Sequence, residues 1–127
     1  MIVDLRHMDQ RLTANQAQIR QVLAETHSTI TDMHGVGHLI AAKILGHVGD
    51  ASRFPTADHF ASYAGTSPLE ASSGEHRRHR LNPTGNRQLN TALHTIALVQ
   101  ARDPGPGRVY YQRNSPKAKP RLRRDAR

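Results

Sequence analysis

The sequence predicts a mainly α-helical fold: a small helical domain with a helix-hairpin-helix element, preceded by a coiled-coil-like helix and followed by a disordered basic tail. Three observations predict it. Apolar residues recur at spacings of three and four along separate stretches, no strand-like alternation of useful length occurs, and Gly or Pro clusters separate the stretches. The divisions fall at 1–27, 28–103 and 104–127.

Leu5, Met8, Leu12, Asn15, Ile19 and Val22 keep a heptad rhythm, so 4–26 reads as one helix with a seam. Asn15 lies within that seam, where in a parallel dimer it can pair with its copy and fix register at some cost in stability. Two readings are open here: a homo-oligomer formed through residues 4–26, or an amphipathic helix packed on its own domain. From Thr31 to Leu45 the order is helix, hairpin, helix. Gly35 and Gly37 flank Val36 in a tight turn, and Ile40, Ile44 and Val48 then recur at helical spacing. Asp50 and Ser52 are turn residues after Gly49. Thr56 is placed to cap a short helix holding Ala57, Phe60, Ala61 and Tyr63, which stops at Gly65.

Residues 66–85 follow neither period and read as a long loop, with room for a short hairpin within 66–82. Loops of this length in compact domains are more often functional than idle. Leu89, Ala92, Leu93, Ile96, Ala97 and Leu98 mark a helix over 86–102, ended by Asp103-Pro104-Gly105-Pro106-Gly107. The stretch 108–127, with 8 basic residues and little to bury, is expected to be disordered.

Composition bounds the function. With 127 residues there is room for one small domain, which excludes self-contained dehydrogenase, barrel or kinase architectures. Hydrophobic content is 36% with no Trp, so the core must be thin. Zero Cys excludes disulfides and thiolate-ligated zinc and suits a reducing cytoplasm. No apolar run approaches the ~20 residues of a membrane span, and the chain start lacks an export signal. Residues 1–74 carry 5 basic and 7 acidic side chains, whereas 75–127 carry 13 and 3. One half is a polycation without an amphipathic, aromatic-anchored basic helix, which favours nucleic acid over a membrane surface as the partner.

Three constellations can handle phosphate. The amides at Gly37 and at the start of the following helix, around His38, can point at one phosphate, with Lys43 as an added cation and Gly35 and Val36 shaping the turn. A plain helix-helix corner gives the same pattern. In Ser72-Ser73-Gly74-Glu75-His76-Arg77-Arg78-His79-Arg80, a serine has Arg77, Arg78 and Arg80 within seven residues. A serine free to attack phosphorus needs cations on the non-bridging oxygens, and the guanidinium group grips phosphate in a bidentate way. The alternative is a solvated basic loop with Ser in turn chemistry. In Asn82-Pro83-Thr84-Gly85-Asn86-Arg87, Thr84 or Asn86 can cap the next helix, and Arg87 sits in its positive first turn, against the helix dipole. His34 with His38 straddles the glycine turn and His76 with His79 lies among arginines, so no metal site is expected in this chain. Tyr63 reads as a packing residue and Tyr110 and Tyr111 as tail residues.

Taken in order, Met33-His34-Gly35-Val36-Gly37, Gly49-Asp50-Ala51-Ser52-Arg53-Phe54, Ala61-Ser62-Tyr63-Ala64-Gly65, Ser67-Pro68, Ser73-Gly74, Gly85-Asn86-Arg87 and Arg102-Asp103-Pro104 resemble one family. It is the C-terminal domain of the insertion-sequence transposases of the 110/116/902 group, the bridge-RNA-guided recombinases, and the resemblance covers about 20–113. The resemblance implies a parent with a resolvase-like N-terminal domain holding Mg2+ on four acidic residues, a coiled coil that helps assemble the multimer, and a C-terminal domain that contributes a serine to a composite site. It places that serine at Ser73, with the adjacent Ser72 as fallback, and implies DNA and a guide RNA as partners and a bacterial cytoplasm, at the nucleoid, as the location.

The chain departs from the pattern twice. The metal-binding domain is missing, with no carboxylate set to replace it, and the sequence after Tyr110-Tyr111 turns to Pro116, Pro120 and a run of Arg where the family continues into a helix. A truncated member is therefore expected, able to bind DNA but not to complete strand transfer alone. Two other classes compete: a non-catalytic helix-hairpin-helix nucleic-acid-binding module, and a basic structural protein of a ribonucleoprotein.

Overall fold

The computed structural model describes residues 1–70, 74, 79–80 and 82–115. Ser72, Ser73, Arg77 and Arg78 lie outside the described residues, so the candidate serine and two of the three arginines expected beside it have no structural account. Helices dominate: α1 (Ile2–Glu25), α2 (His38–Val48), α3 (Ala57–Tyr63), α4 (Arg87–Arg102) and α5 (Pro106–Asn114), with 3-10 turns at Ile30–Asp32 and Ala51–Arg53. Two short strands, β1 (Leu69–Glu70) and β2 (His79–Arg80), pair antiparallel with Leu69 opposite Arg80. That is the small hairpin for which 66–82 has room.

The core follows from helical periodicity. Ala41, Ile44 and Val48 line one face of α2, Leu89, Ala92 and Ile96 one face of α4, and these pack together with Leu23, Val36 and Ala64. The alanines let the helices approach closely. Leu89 is the large side chain that is completely enclosed, which is the thin core that 36% apolar content allows.

Three expectations are corrected. The first helix of the hairpin element is a single 3-10 turn, Ile30–Asp32, because β-branched residues and Gly35 leave room for one turn only. Part of the tail expected to be disordered over 104–127 instead forms α5, Pro106–Asn114, while 116–127 lie outside the described residues. The Pro-Gly-Pro-Gly run that stops α4 also starts this helix, because Pro106 occupies a first-turn position that has no amide to satisfy. The seam of α1 also divides. Ile19 and Leu23, rather than Val22, turn into the core, while Leu5, Met8 and Leu12 are 62%, 59% and 59% exposed. An α-helix drifts about 20° per heptad from a strict seven-residue repeat, enough over α1 to bring Leu23 inward in place of Val22. Over its first four turns α1 is exposed and, among the described residues, not packed on its own domain.

Among the described residues no helix is long and apolar enough to cross a membrane. Replacing the enclosed leucine (Leu89→Ala) should lower unfolding free energy by about 2–5 kcal/mol, measured by urea denaturation with circular dichroism.

Candidate nucleic-acid interface

Two of the three predicted phosphate-binding constellations fall at opposite ends of one helix pair. Gly35 lies against α4 near Ile96 and Val99, whereas the N-cap of α4, Asn86, meets His47 near the end of α2. α2 and α4 therefore run antiparallel. The hairpin turn and the start of α4 stand about 16 Å apart, the length of an eleven-residue helix at 1.5 Å per residue.

At the first end, Gly35 takes φ +87, and a Cβ there would sit 3.3 Å from a Val99 methyl. Its role is to turn the chain and to seat the turn on α4. Val36 is buried, with its amide donating to Met33 O at 3.1 Å. Gly37 differs: its φ of −81 suits any residue and nothing lies within 4 Å of a Cβ. Gly37 caps α2 with no side-chain bond, so no side chain occupies the first-turn amides, and His38 and Lys43 are exposed beside them. The turn is clamped to the end of α4. His34 Nε2 donates to Asp103 at 2.9 Å, Arg102 Nε donates to the other Asp103 oxygen at 2.7 Å, and Gln100 Nε2 donates to His34 O at 3.0 Å.

At the second end the chain crosses itself backbone to backbone. A Cβ on Gly85 would lie 2.3 Å from both Gly65 Cα and Gly65 N. Gly65, at φ +70, ends α3, and the carbonyls left open there are met from α4. The Asn86 amide donates to Tyr63 O at 2.7 Å, and Asn90 Nδ2 reaches Ala64 O and Gly65 O at 3.2 and 3.1 Å. Of the two candidate caps it is Asn86 whose Oδ1 accepts from Gln88 N and Leu89 N, both at 3.1 Å. Thr84 instead donates to the Asn82 side chain. Asn86 Nδ2 donates to His47 Nδ1 at 3.1 Å and lies 3.5 Å from the Tyr63 hydroxyl. Its side chain is therefore taken up in holding three elements together.

Arg87 is exposed, without a carboxylate partner among the described residues, and lines a cleft with Asn82, Gly65, Asn90 and Thr91. Arg80 is also exposed, two residues before Asn82. Arg53 stacks on Phe54 and Tyr63, 5.3 and 5.4 Å from the ring centroids, and donates to Val48 O at 3.0 Å. Tyr63 packs on Phe54 with centroids 5.2 Å apart, as a packing residue should. Its hydroxyl is held below the ordinary phenol value, first by Asn86 and then by Arg53.

Sequence reasoning missed His47, Arg53 and Asn90. Asn90 carried a usable signal: it lies one turn beyond Asn86 on the same helix, and the helix ending at Gly65 needed donors. The pairing of His34 with Asp103, 69 residues away, had none.

The matching family model is the transposase IS116/IS110/IS902 family, over residues 27–112. The chain belongs to this family. It is 41% identical over 110 residues to the insertion element IS110 uncharacterized 43.6 kDa protein of Streptomyces coelicolor, covering 84% of this chain and 27% of that one. The insertion element IS116 uncharacterized 44.8 kDa protein of Streptomyces clavuligerus is 30% identical, covering 87% and 30%. The pilin gene-inverting protein of Moraxella bovis is also 30% identical, covering 76% and 32%. The chain thus spans about three-tenths of the length of these relatives.

The hairpin clamp is acid-sensitive. The Asp103 carboxyl is held below the usual carboxylate range, first by Arg102 and then by His34. A depressed folded value contributes stability above the unfolded value, about 3.9, that is lost as pH falls through the folded one. Asp103→Asn should therefore melt earlier than wild type at neutral pH and converge with it only as the pH falls well below about 4, through the folded value, by circular dichroism. A gap that persists in acid would remove the ion pair from the account.

Proposed function

We propose that the chain is the DNA-handling C-terminal domain of a transposase of this family, gripping sugar-phosphate backbone through the Gly35–Gly37 turn and the Arg87 cleft. The observation that carries it is Gly37. The residue has ordinary backbone angles and open space around it, so steric fit does not require a glycine there, although glycine is a favoured N-cap. Close approach of a phosphate to the first-turn amides of α2 does explain it.

The rest of the reading is built on family membership. Ser73 attacks a phosphodiester phosphorus, so that a Ser73 Oγ–phosphorus bond forms as the bond to the leaving sugar oxygen breaks, and the proton passes to a base outside this chain. Arg77, Arg78 and Arg80 stabilise the charge on the non-bridging oxygens. Mg2+ is held by acidic residues of an N-terminal domain in the parent, a guide RNA selects the sequence, and the exposed seam of α1 pairs with a second copy. A non-catalytic binding module uses the same two ends, and the serine separates the two readings.

Gly37→Ala should cost about 1 kcal/mol or less of stability, a melting-temperature shift of a few degrees that leaves the domain folded, and weaken duplex DNA binding severalfold, measured by fluorescence anisotropy. Binding as tight as wild type would remove the turn from the interface. In a full-length relative, replacing the serine that aligns with Ser73 by Ala should abolish strand exchange while DNA binding persists; unchanged recombination would assign the nucleophile elsewhere.

A further inference from the structure

Helix α5 turns two tyrosines outward. It packs on the end of α4 through Gly107, where a Cβ would lie 2.8 Å from Gln100 Cβ. Beside this contact a groove of about 870 Å3 runs between the helices, with Ala97, Gln100 and Ala101 on the α4 side and Tyr110 and Tyr111 on the α5 side. The tyrosines are 65% and 57% exposed. Neighbouring residues on a helix point about 100° apart, so the two rings leave α5 in different directions. Arg108 and Arg113 on the same helix are exposed, and among the described residues neither bonds a carboxylate; Arg108 reaches only the Arg102 carbonyl, at 3.4 Å.

Exposed aromatic faces beside uncompensated guanidinium groups match one ligand chemistry, in which flat bases alternate with phosphates. A duplex hides its base faces inside the stack, and a single strand offers them. An apolar protein helix would cover the alanine floor but leave the arginines unmatched. We infer that the α4–α5 groove binds single-stranded DNA, with Tyr110 and Tyr111 stacking on unpaired bases and Arg108 and Arg113 holding flanking phosphates. The choice of DNA rests on the proposed transposase role; the groove adjoins the hairpin turn, with Gln100 common to both, and lies at the opposite end of α4 from the Arg87 cleft.

The chain has three tyrosines and no tryptophan, so its ultraviolet emission reports on Tyr63, Tyr110 and Tyr111. The full chain is titrated with labelled oligo(dT), oligo(rU) and a DNA duplex, with affinity read by anisotropy and stacking by tyrosine emission. Oligo(dT) should quench the emission, and the quench should survive Tyr63→Phe. Tyr110→Ala and Tyr111→Ala should each weaken oligo(dT) binding about tenfold, while Tyr110→Phe and Tyr111→Phe bind as wild type. Tyr110→Leu and Tyr111→Leu, which keep apolar packing without an aromatic face, should match the alanine variants. Duplex affinity should be unchanged throughout, so loss of duplex binding in Gly37→Ala alone tests the hairpin separately. The proposal is overturned by an undiminished oligo(dT) affinity in the leucine variants, by severalfold tighter binding of oligo(rU) than of oligo(dT), or by tyrosine variants that change only self-association in sedimentation.

Discussion

The contact on which the molecule depends is the crossing of Gly65 over Gly85, close enough that a side chain on Gly85 would collide with the Gly65 backbone and one on Gly65 would be tightly held at positive φ. Few large side chains are available to hold this domain together, and its core is made of alanines and single branched residues on α2 and α4. Backbone must therefore approach backbone. The crossing brings the end of α3 to the start of α4, where Asn86 and Asn90 meet carbonyls that a helix end leaves open. With those bonds made, His47, Tyr63 and Arg53 gather around the α4 N-terminus, and Arg87 is left facing outward.

Glycine does different work at each position. At Gly85 a side chain would collide, at Gly35 it would press on Val99 while the backbone sits at positive φ, and at Gly37 neither holds. Glycines of one turn thus separate into a structural one and one whose emptiness faces solvent. The same separation applies to the cations. Arg102 is neutralised by Asp103 and Arg53 is spent on aromatic rings and a helix-end carbonyl, whereas Arg80, Arg87, Arg108 and Arg113 are exposed. Net charge alone could not make this distinction.

Much of the fold was legible because it is local. Periodicity placed α2 and α4 to within a residue or two, Thr56 accepts the His59 amide as a cap, and α3 stops before Gly65. The failures have physical causes. Pro-Gly-Pro-Gly ends one helix and begins another, and composition shows only the ending. The heptad seam named Val22 where Leu23 is buried, because helical drift accumulates over five turns. Of the candidate site, the turn, the cap and Arg87 were readable from local chemistry. That the hairpin and Arg87 occupy opposite ends of a helix pair was not, since only the antiparallel packing of α2 on α4 decides it.

Helix α1 touches the domain near Ile19 and Leu23 and extends beyond that root as a beam that is exposed among the described residues. From Ile19 to its first turn it reaches about 25 Å at 1.5 Å per residue. A tilt of roughly 7° at the root carries the tip about 3 Å, the length of a hydrogen bond. Mechanically it is a cantilever: a load applied at Leu5, Met8 and Leu12 is felt at α2, whose two ends carry the hairpin and the His47 contact to Asn86. Whatever takes hold of that stripe has leverage on the root at Ile19 and Leu23 without touching either end of α2.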